Sequence, residues 1–142
     1  MLKLNRRTEY ALLALRYLSM PGHETVSARA VADHYALPEP LLAKVLQRLK
    51  RGEIVSATKG AQGGYRLARR LSKVPLMELM ELFEESTALV GCIEESEGCE
   101  CHLHPSCEIR DGMLALNALM TAQLKHLSVA SFFAAGPSPA SA

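Results

Sequence analysis

The sequence predicts a mainly α-helical fold with one small β-hairpin and a long C-terminal helix. Apolar residues recur at helical spacing in separate stretches, one pair of β-rich runs flanks a glycine-rich loop, and 142 residues leave room for one domain with an appendage. That size excludes a multidomain enzyme. With 49% hydrophobic and 22% charged residues, wholesale disorder is excluded too. No apolar run reaches the ~18 residues of a membrane span, and residues 1–7 lack the apolar stretch of a signal peptide. A cytoplasmic protein with no membrane partner is expected.

The first helix spans residues 6–20, with Tyr10, Leu13, Leu15, Tyr17 and Leu18 apolar and Pro21-Gly22 as terminator. Ser27 offers an N-cap for a short helix through Ala28, Ala30, Val31 and Ala32 to Tyr35, followed by a tight connection at Ala36-Leu37. Pro38 and Pro40 suit the first turn of a third helix, where a missing amide proton costs nothing. Its inner face carries Leu42, Val45, Leu46 and Leu49, its outer face Lys44, Gln47, Arg48 and Lys50, and Gly52 stops it. Two short helices across a tight turn, the second apolar inward and basic outward, form a helix-turn-helix whose later member fits a DNA major groove.

Ile54-Val55-Ser56-Ala57-Thr58 and Tyr65-Arg66-Leu67 then predict two strands joined across residues 59–64, a hairpin wing. The fold class is therefore a winged helix-turn-helix DNA-binding domain, residues 1–75, followed by a long C-terminal dimerisation helix. Lys59, Gln62 and Arg66 offer donors to phosphate or a groove edge, and Gly63 and Gly64 permit close backbone approach. A nucleotide-phosphate loop is the rival for this glycine-rich stretch, but it lacks the Gly-Lys-Ser/Thr ending and a preceding buried strand. The candidate DNA-contacting set is Glu39, Pro40, Lys44, Gln47 and Arg48 from the third helix and Lys59, Gly63, Gly64 and Arg66 from the wing. Glu39 and Pro40 lie at the helix start, where base edges are usually read, and Glu39 suits cytosine N4.

Charge is segregated along the chain. Residues 1–75 hold 14 Lys/Arg against 5 Asp/Glu, and residues 76–142 hold 2 against 10, so a part near +9 joins one near −8. Such asymmetry fits a nucleic-acid-binding module joined to an acidic regulatory one. The second part, residues 76–135, is entered by a helix over 75–85 that turns Leu76, Leu79, Met80 and Phe83 inward. Further on, Ile109, Met113, Leu116, Met120, Leu124 and Leu127 make a long apolar stripe. A symmetric dimer through that stripe is expected, since DNA readers commonly match their two-fold axis to a palindromic site. Residues 136–142 are expected to be a disordered tail.

All four cysteines, Cys92, Cys99, Cys101 and Cys107, fall within sixteen residues, on a polar loop between two helices. In a reducing compartment such a local cluster points to a metal or redox site, because thiolates suit iron–sulfur iron or zinc. The spacing alone does not name the metal. His102 and His104 add further donors.

The opening Thr8-Glu9-Tyr10-Ala11-Leu12, the wing Gly60-Ala61-Gln62-Gly63-Gly64-Tyr65-Arg66-Leu67, and Cys101-His102-Leu103-His104-Pro105-Ser106-Cys107 preceded by Cys92 carry a resemblance over nearly the whole chain. The sequence resembles the small bacterial winged-helix transcriptional regulators that bind an iron–sulfur cluster, and is most similar to their NsrR-type, nitric-oxide-sensing branch beside the IscR-type, cluster-supply branch. The resemblance implies Cys92, Cys101 and Cys107 as thiolate ligands of a two-iron or four-iron cluster. The cluster-supply branch takes its fourth ligand from a His three residues after the last Cys, where this chain has Arg110. In the nitric-oxide branch an Asp of the first helix reaches the cluster of the other subunit, and Glu9 holds the matching place. Cys99 departs from the pattern and stands as an alternative ligand, as a resolving thiol, or as a replacement for Glu9.

The function this implies is a homodimeric repressor, not an enzyme, that binds a palindromic operator in double-stranded DNA and takes no small-molecule substrate. Its cluster would sense nitric oxide, redox state or iron–sulfur supply. Two alternatives keep the fold and change the loop: a structural zinc held by the Cys/His residues, or a metal-free thiol switch. A thiol-redox enzyme using Cys99 and Cys101 lacks the βαβ pattern such chemistry usually sits on.

Overall fold

The computed structural model describes residues 3–93, 101–103 and 106–135. Its helices are α1 (Arg6–Leu18), α2 (Ala28–Tyr35), α3 (Glu39–Arg51), α4 (Leu76–Phe83), α5 (Arg110–His126) and α6 (Val129–Ala134), and its strands are β1 (Val55–Thr58) and β2 (Gly64–Leu67). The mainly helical fold with a two-stranded hairpin is as the sequence predicts. Cys99, His104 and the tail over 136–142 lie outside the described residues.

Local chemistry sets each boundary of the reading domain. Asn5 caps α1, its Oδ1 accepting from the Thr8 backbone N–H at 3.0 Å, and the helix stops at Leu18, two residues before the expected end. The Ser27 hydroxyl accepts from the Ala30 N–H at 3.0 Å to start α2. Ala36 then takes the left-handed conformation, φ 53°, which lets the Leu37 N–H bond back to Ala32 O at 2.9 Å. That closes α2 tightly enough for α3 to begin three residues later. A non-glycine there costs about 1 kcal/mol, offset by the packing of α2 on α3.

Antiparallel pairing runs from Val55 opposite Leu67 to Thr58 opposite Gly64. Val26 adds a third, one-residue contact on the other side of β2, exchanging hydrogen bonds with Tyr65 at 2.9 and 2.7 Å. The hairpin is thereby anchored to the segment that leads into α2.

One core joins these elements. Leu15, Val31, Leu42, Leu46, Leu49, Ile54, Val74, Leu79 and Val129 are each at least 98% buried, so α4 and α6 share a core with the reading helices. Each such aliphatic side chain contributes about 1.5–3 kcal/mol relative to an exposed one. Met77, which the inward-facing set omits, is buried, and Met80 is half-buried.

The C-terminal region differs from expectation in two respects. α5 ends at His126, with Leu127 as its C-cap, and a separate short helix follows, started by the Ser128 hydroxyl accepting from the Ser131 N–H at 3.0 Å. α6 returns to the reading domain: Val129 is fully buried, its N–H donates to Val74 O at 2.9 Å, and the Leu76 N–H donates to Leu127 O at 2.7 Å. The apolar stripe also divides. Met113, Met120 and Leu124 are half-buried, while Ile109 and Leu116 are 63% and 47% exposed and Leu119, outside the stripe, is 65% exposed. No residue of α5 is fully buried within the chain.

Candidate nucleic-acid interface and cysteine loop

The buried residues of α3, Leu42, Val45, Leu46 and Leu49, occupy one side of the helix. Glu39, Pro40, Lys44, Gln47 and Arg48 are all exposed on the rest of it, as groove reading requires. Arg48 leans on the protein, its Cζ 6.0 Å from the Phe83 ring centroid. Pro38 and Pro40 remove two amide donors at the start of α3, and no side chain caps it.

In the wing, Lys59 is exposed at the tip and Arg66 is exposed on β2, its Nε donating to Ser56 Oγ across the pair at 3.2 Å. Gly63 and Gly64 have structural reasons of their own. A Cβ on Gly64 would meet Val26 O at 2.5 Å, and one on Gly63 would strike the Thr58 carbonyl. Both glycines let the hairpin close on its neighbours, whatever else approaches them.

Behind the wing, the Arg69 guanidinium donates both its terminal nitrogens to the Glu78 carboxylate, at 2.5 and 3.1 Å, and one of them also to Lys73 O at 3.0 Å. The hydrogen bond to Glu78 raises the Arg69 pKa, against an opposing effect of burial. Exit from the wing is thus fixed to α4.

Sequence reasoning missed two groups of site residues. Arg7 of α1 and Arg51 of α3 lie beside Lys44, Gln47 and Arg48 around one depression. Pairing Arg7 with α3 depends on how the helices pack, and no local spacing reveals that. The second group fixes the start of α1. Glu84 Oε1 accepts from the Asn5 N–H at 3.0 Å and from the Thr8 hydroxyl at 2.5 Å, while Asn5 Nδ2 donates to Phe83 O at 2.7 Å.

The cysteine loop follows directly from that point. Cys92 is half-buried in the single turn Gly91–Ile93, Cys101 is exposed, and Cys107 is half-buried ahead of α5; all three are free thiols. The Arg110 N–H donates to Cys107 O at 3.3 Å, and the Arg110 Nε is buried with no hydrogen-bond partner among the described residues. Thiols not tied up in disulfides suit thiolate ligation. The donor chemistry fits an iron–sulfur cluster or zinc. Among the described residues, however, no three His, Cys, Asp or Glu side chains are gathered at metal-binding range. Glu9 is exposed on α1, one residue beyond the buried Thr8.

Comparison with known proteins follows the same lines. The sequence pattern of the Rrf2 family, described as iron-dependent transcriptional regulators, matches residues 4–135. Protein aau3 of Rhizobium meliloti is 33% identical over 118 residues, covering 82% of this chain and 76% of its own. The HTH-type transcriptional regulator NsrR of Geobacillus kaustophilus is 30% identical over 127 residues, 89% of this chain and 84% of that one. Among solved structures, CymR, the global cysteine regulator of Bacillus subtilis, superposes with a TM-score of 0.73 at 18% identity, over 96% of this chain and all of that one. The matched family and the named HTH-type relative are transcriptional regulators, not enzymes, and no described helix is long and apolar enough to cross a membrane. The chain belongs to the Rrf2 family of winged-helix transcriptional regulators.

Proposed function

We propose that the chain is a homodimeric transcriptional repressor whose grip on a palindromic operator is set by an iron–sulfur cluster on the cysteine loop. The observation that carries this reading is the placement of three free thiols, Cys92, Cys101 and Cys107, on the one segment that joins the reading domain to the exposed apolar side of α5. Cys92, Cys101 and Cys107 would hold a two-iron or four-iron cluster, with Glu9 reaching across from the partner subunit and Cys99 as the alternative ligand. When bound, the cluster supplies a crosslink sensitive to nitric oxide, oxidants or iron–sulfur supply.

The remaining work belongs to the chain's own residues. Glu39, Pro40, Lys44, Gln47 and Arg48 face the major groove, while Lys59, Gly63, Gly64 and Arg66 bring the wing to the backbone. Ile109, Leu116 and Leu119 give the two-fold contact its apolar surface. Glu9 sits on a helix anchored in the reading domain, so a ligand drawn from it would fix the spacing of the two α3 helices. Half-sites lie about one DNA turn apart, and a small change in that spacing forfeits specific affinity.

A second reading, a metal-free thiol switch, is favoured by the donors that stand apart among the described residues. Anaerobic purification with an absorption spectrum and iron and sulfide counts separates the two. The proposal expects visible charge-transfer bands and stoichiometric iron and sulfide, both lost in Cys92→Ala and Cys107→Ala. A colourless protein without iron or sulfide after attempted reconstitution rejects it.

A further inference from the structure

Between the first turn of α1 and the outer side of α3 lies an open depression of about 360 Å³ walled by Arg7, Lys44, Arg48, Arg51 and Gln47, with Phe83 as part of its floor and no carboxylate in its lining. Four cations around one hollow repel one another unless an anion enters. The ion pairs found among the described residues are Arg29–Asp33 and Arg69–Glu78, so none of the four is neutralised there. Glu84 and Glu85 line an adjoining cavity with Arg6, Arg7 and Arg48, but neither carboxylate forms an ion pair with them among the described residues.

We propose that Arg7 and Arg51 bind a backbone phosphate of duplex DNA beside the groove-reading face, which makes α1 a DNA-contacting element as well as the carrier of Glu9. This rests on the reading of the chain as a DNA-binding regulator with α3 in the groove. Lys44, Gln47 and Arg48 belong both to the depression and to the reading face, so the two surfaces are continuous. A guanidinium matches phosphate geometry with paired N–H donors, and Arg7 and Arg51 supply two from different elements.

The arrangement on α1 gives this contact a consequence. Successive helical residues are about 100° apart, and Thr8, fully buried and held by Glu84, points into the core. Arg7 and Glu9 therefore leave α1 on opposite flanks of Thr8. A shift of the helix felt at Glu9 is felt at the phosphate.

The test is the salt dependence of binding by the full-length dimer to a random-sequence duplex, followed by fluorescence anisotropy, because a phosphate contact is blind to sequence. Arg7→Ala and Arg51→Ala should each lower the slope of log affinity against log salt by about one and weaken binding to every duplex alike. Arg7→Lys should keep the slope, and Arg70→Ala, which removes an exposed cation outside the depression, should leave it unchanged. Circular dichroism melts of the variants should match the wild type. Wild-type slopes in both alanine variants overturn the inference. So does loss of inorganic phosphate binding by calorimetry in Arg7→Ala with the DNA slope intact, which would make the hollow a free-anion site. A wild-type protein that binds no duplex at any salt sinks the DNA-binding reading itself, and the inference with it.

Discussion

The Thr8 hydroxyl donates to Glu84 Oε1 at 2.5 Å, and that oxygen also accepts from the Asn5 N–H at 3.0 Å. Thr8 is the one fully buried polar residue among the described residues, and Glu84 is the first residue beyond α4. The bond therefore joins the start of α1 to the start of the segment that leads to Cys92. Thr8→Val removes the donor with little change of volume and should destabilise the fold by about 1–2 kcal/mol, read from urea denaturation. Glu84→Ala also strands the Asn5 N–H and should cost more, about 2–3 kcal/mol.

Gly64 and Gly91 should respond differently to the same change. A Cβ at Gly64 meets backbone at Val26 O, 2.5 Å away, and backbone cannot rotate aside; at Gly91 nothing among the described residues lies within 4 Å. Gly64→Ala should destabilise by about 1–3 kcal/mol and Gly91→Ala by less than about 0.5 kcal/mol, both measured by thermal melts. Equal melts would mean that the wing is not packed against Val26.

Leu116 and Leu119 are exposed in the single chain, so glutamate there should leave the fold intact. The double variant Leu116→Glu, Leu119→Glu should sediment as a monomer with a wild-type circular dichroism spectrum. Its affinity for a two-half-site duplex should drop on the order of 100-fold, since each half-site then binds alone.

On α3, Lys44→Ala should weaken binding to all duplexes and lower the salt slope by about one. Gln47→Ala should instead relax the preference between bases, with a discrimination loss of about 1–3 kcal/mol, measured by competition among single-base operator variants. A reversal of the two phenotypes would rotate the helix in the groove relative to this account.

Tyr35 titrates above its ordinary value, chiefly because burial penalises the phenolate, with nearby Arg16 opposing the shift. The folded state then holds that proton more tightly than the unfolded chain. Its contribution to stability is fully present below about pH 10 and falls as pH rises through the folded pKa. Tyr35→Phe should flatten the decline in melting temperature above pH 10.

Much of the fold was legible because local chemistry decides it. Ser27 as N-cap, the prolines opening α3, Gly52 closing it and the alternating runs flanking the wing act within a few residues. α6 was not legible: Ser128 caps only six residues, too short for periodicity, and Leu127 continues the α5 stripe so well that the break is hidden. Nor was the role of Arg7 or Glu84, because each depends on a partner more than forty positions away in sequence. The exposed set Lys44, Gln47 and Arg48 was legible because α3 buries the complementary positions. On the proposed reading, convergence of Cys92, Cys101, Cys107 and Glu9 would need a second subunit and a cofactor, which no spacing within one chain encodes.

The most direct test measures the affinity of one anaerobically prepared sample for its operator before and after nitric oxide treatment of the proposed iron–sulfur cluster, at fixed salt and with sedimentation confirming that the assembly state is unchanged. The account predicts a loss of at least 10-fold in specific affinity with non-specific binding little changed. Equal specific affinity in the two states would contradict it.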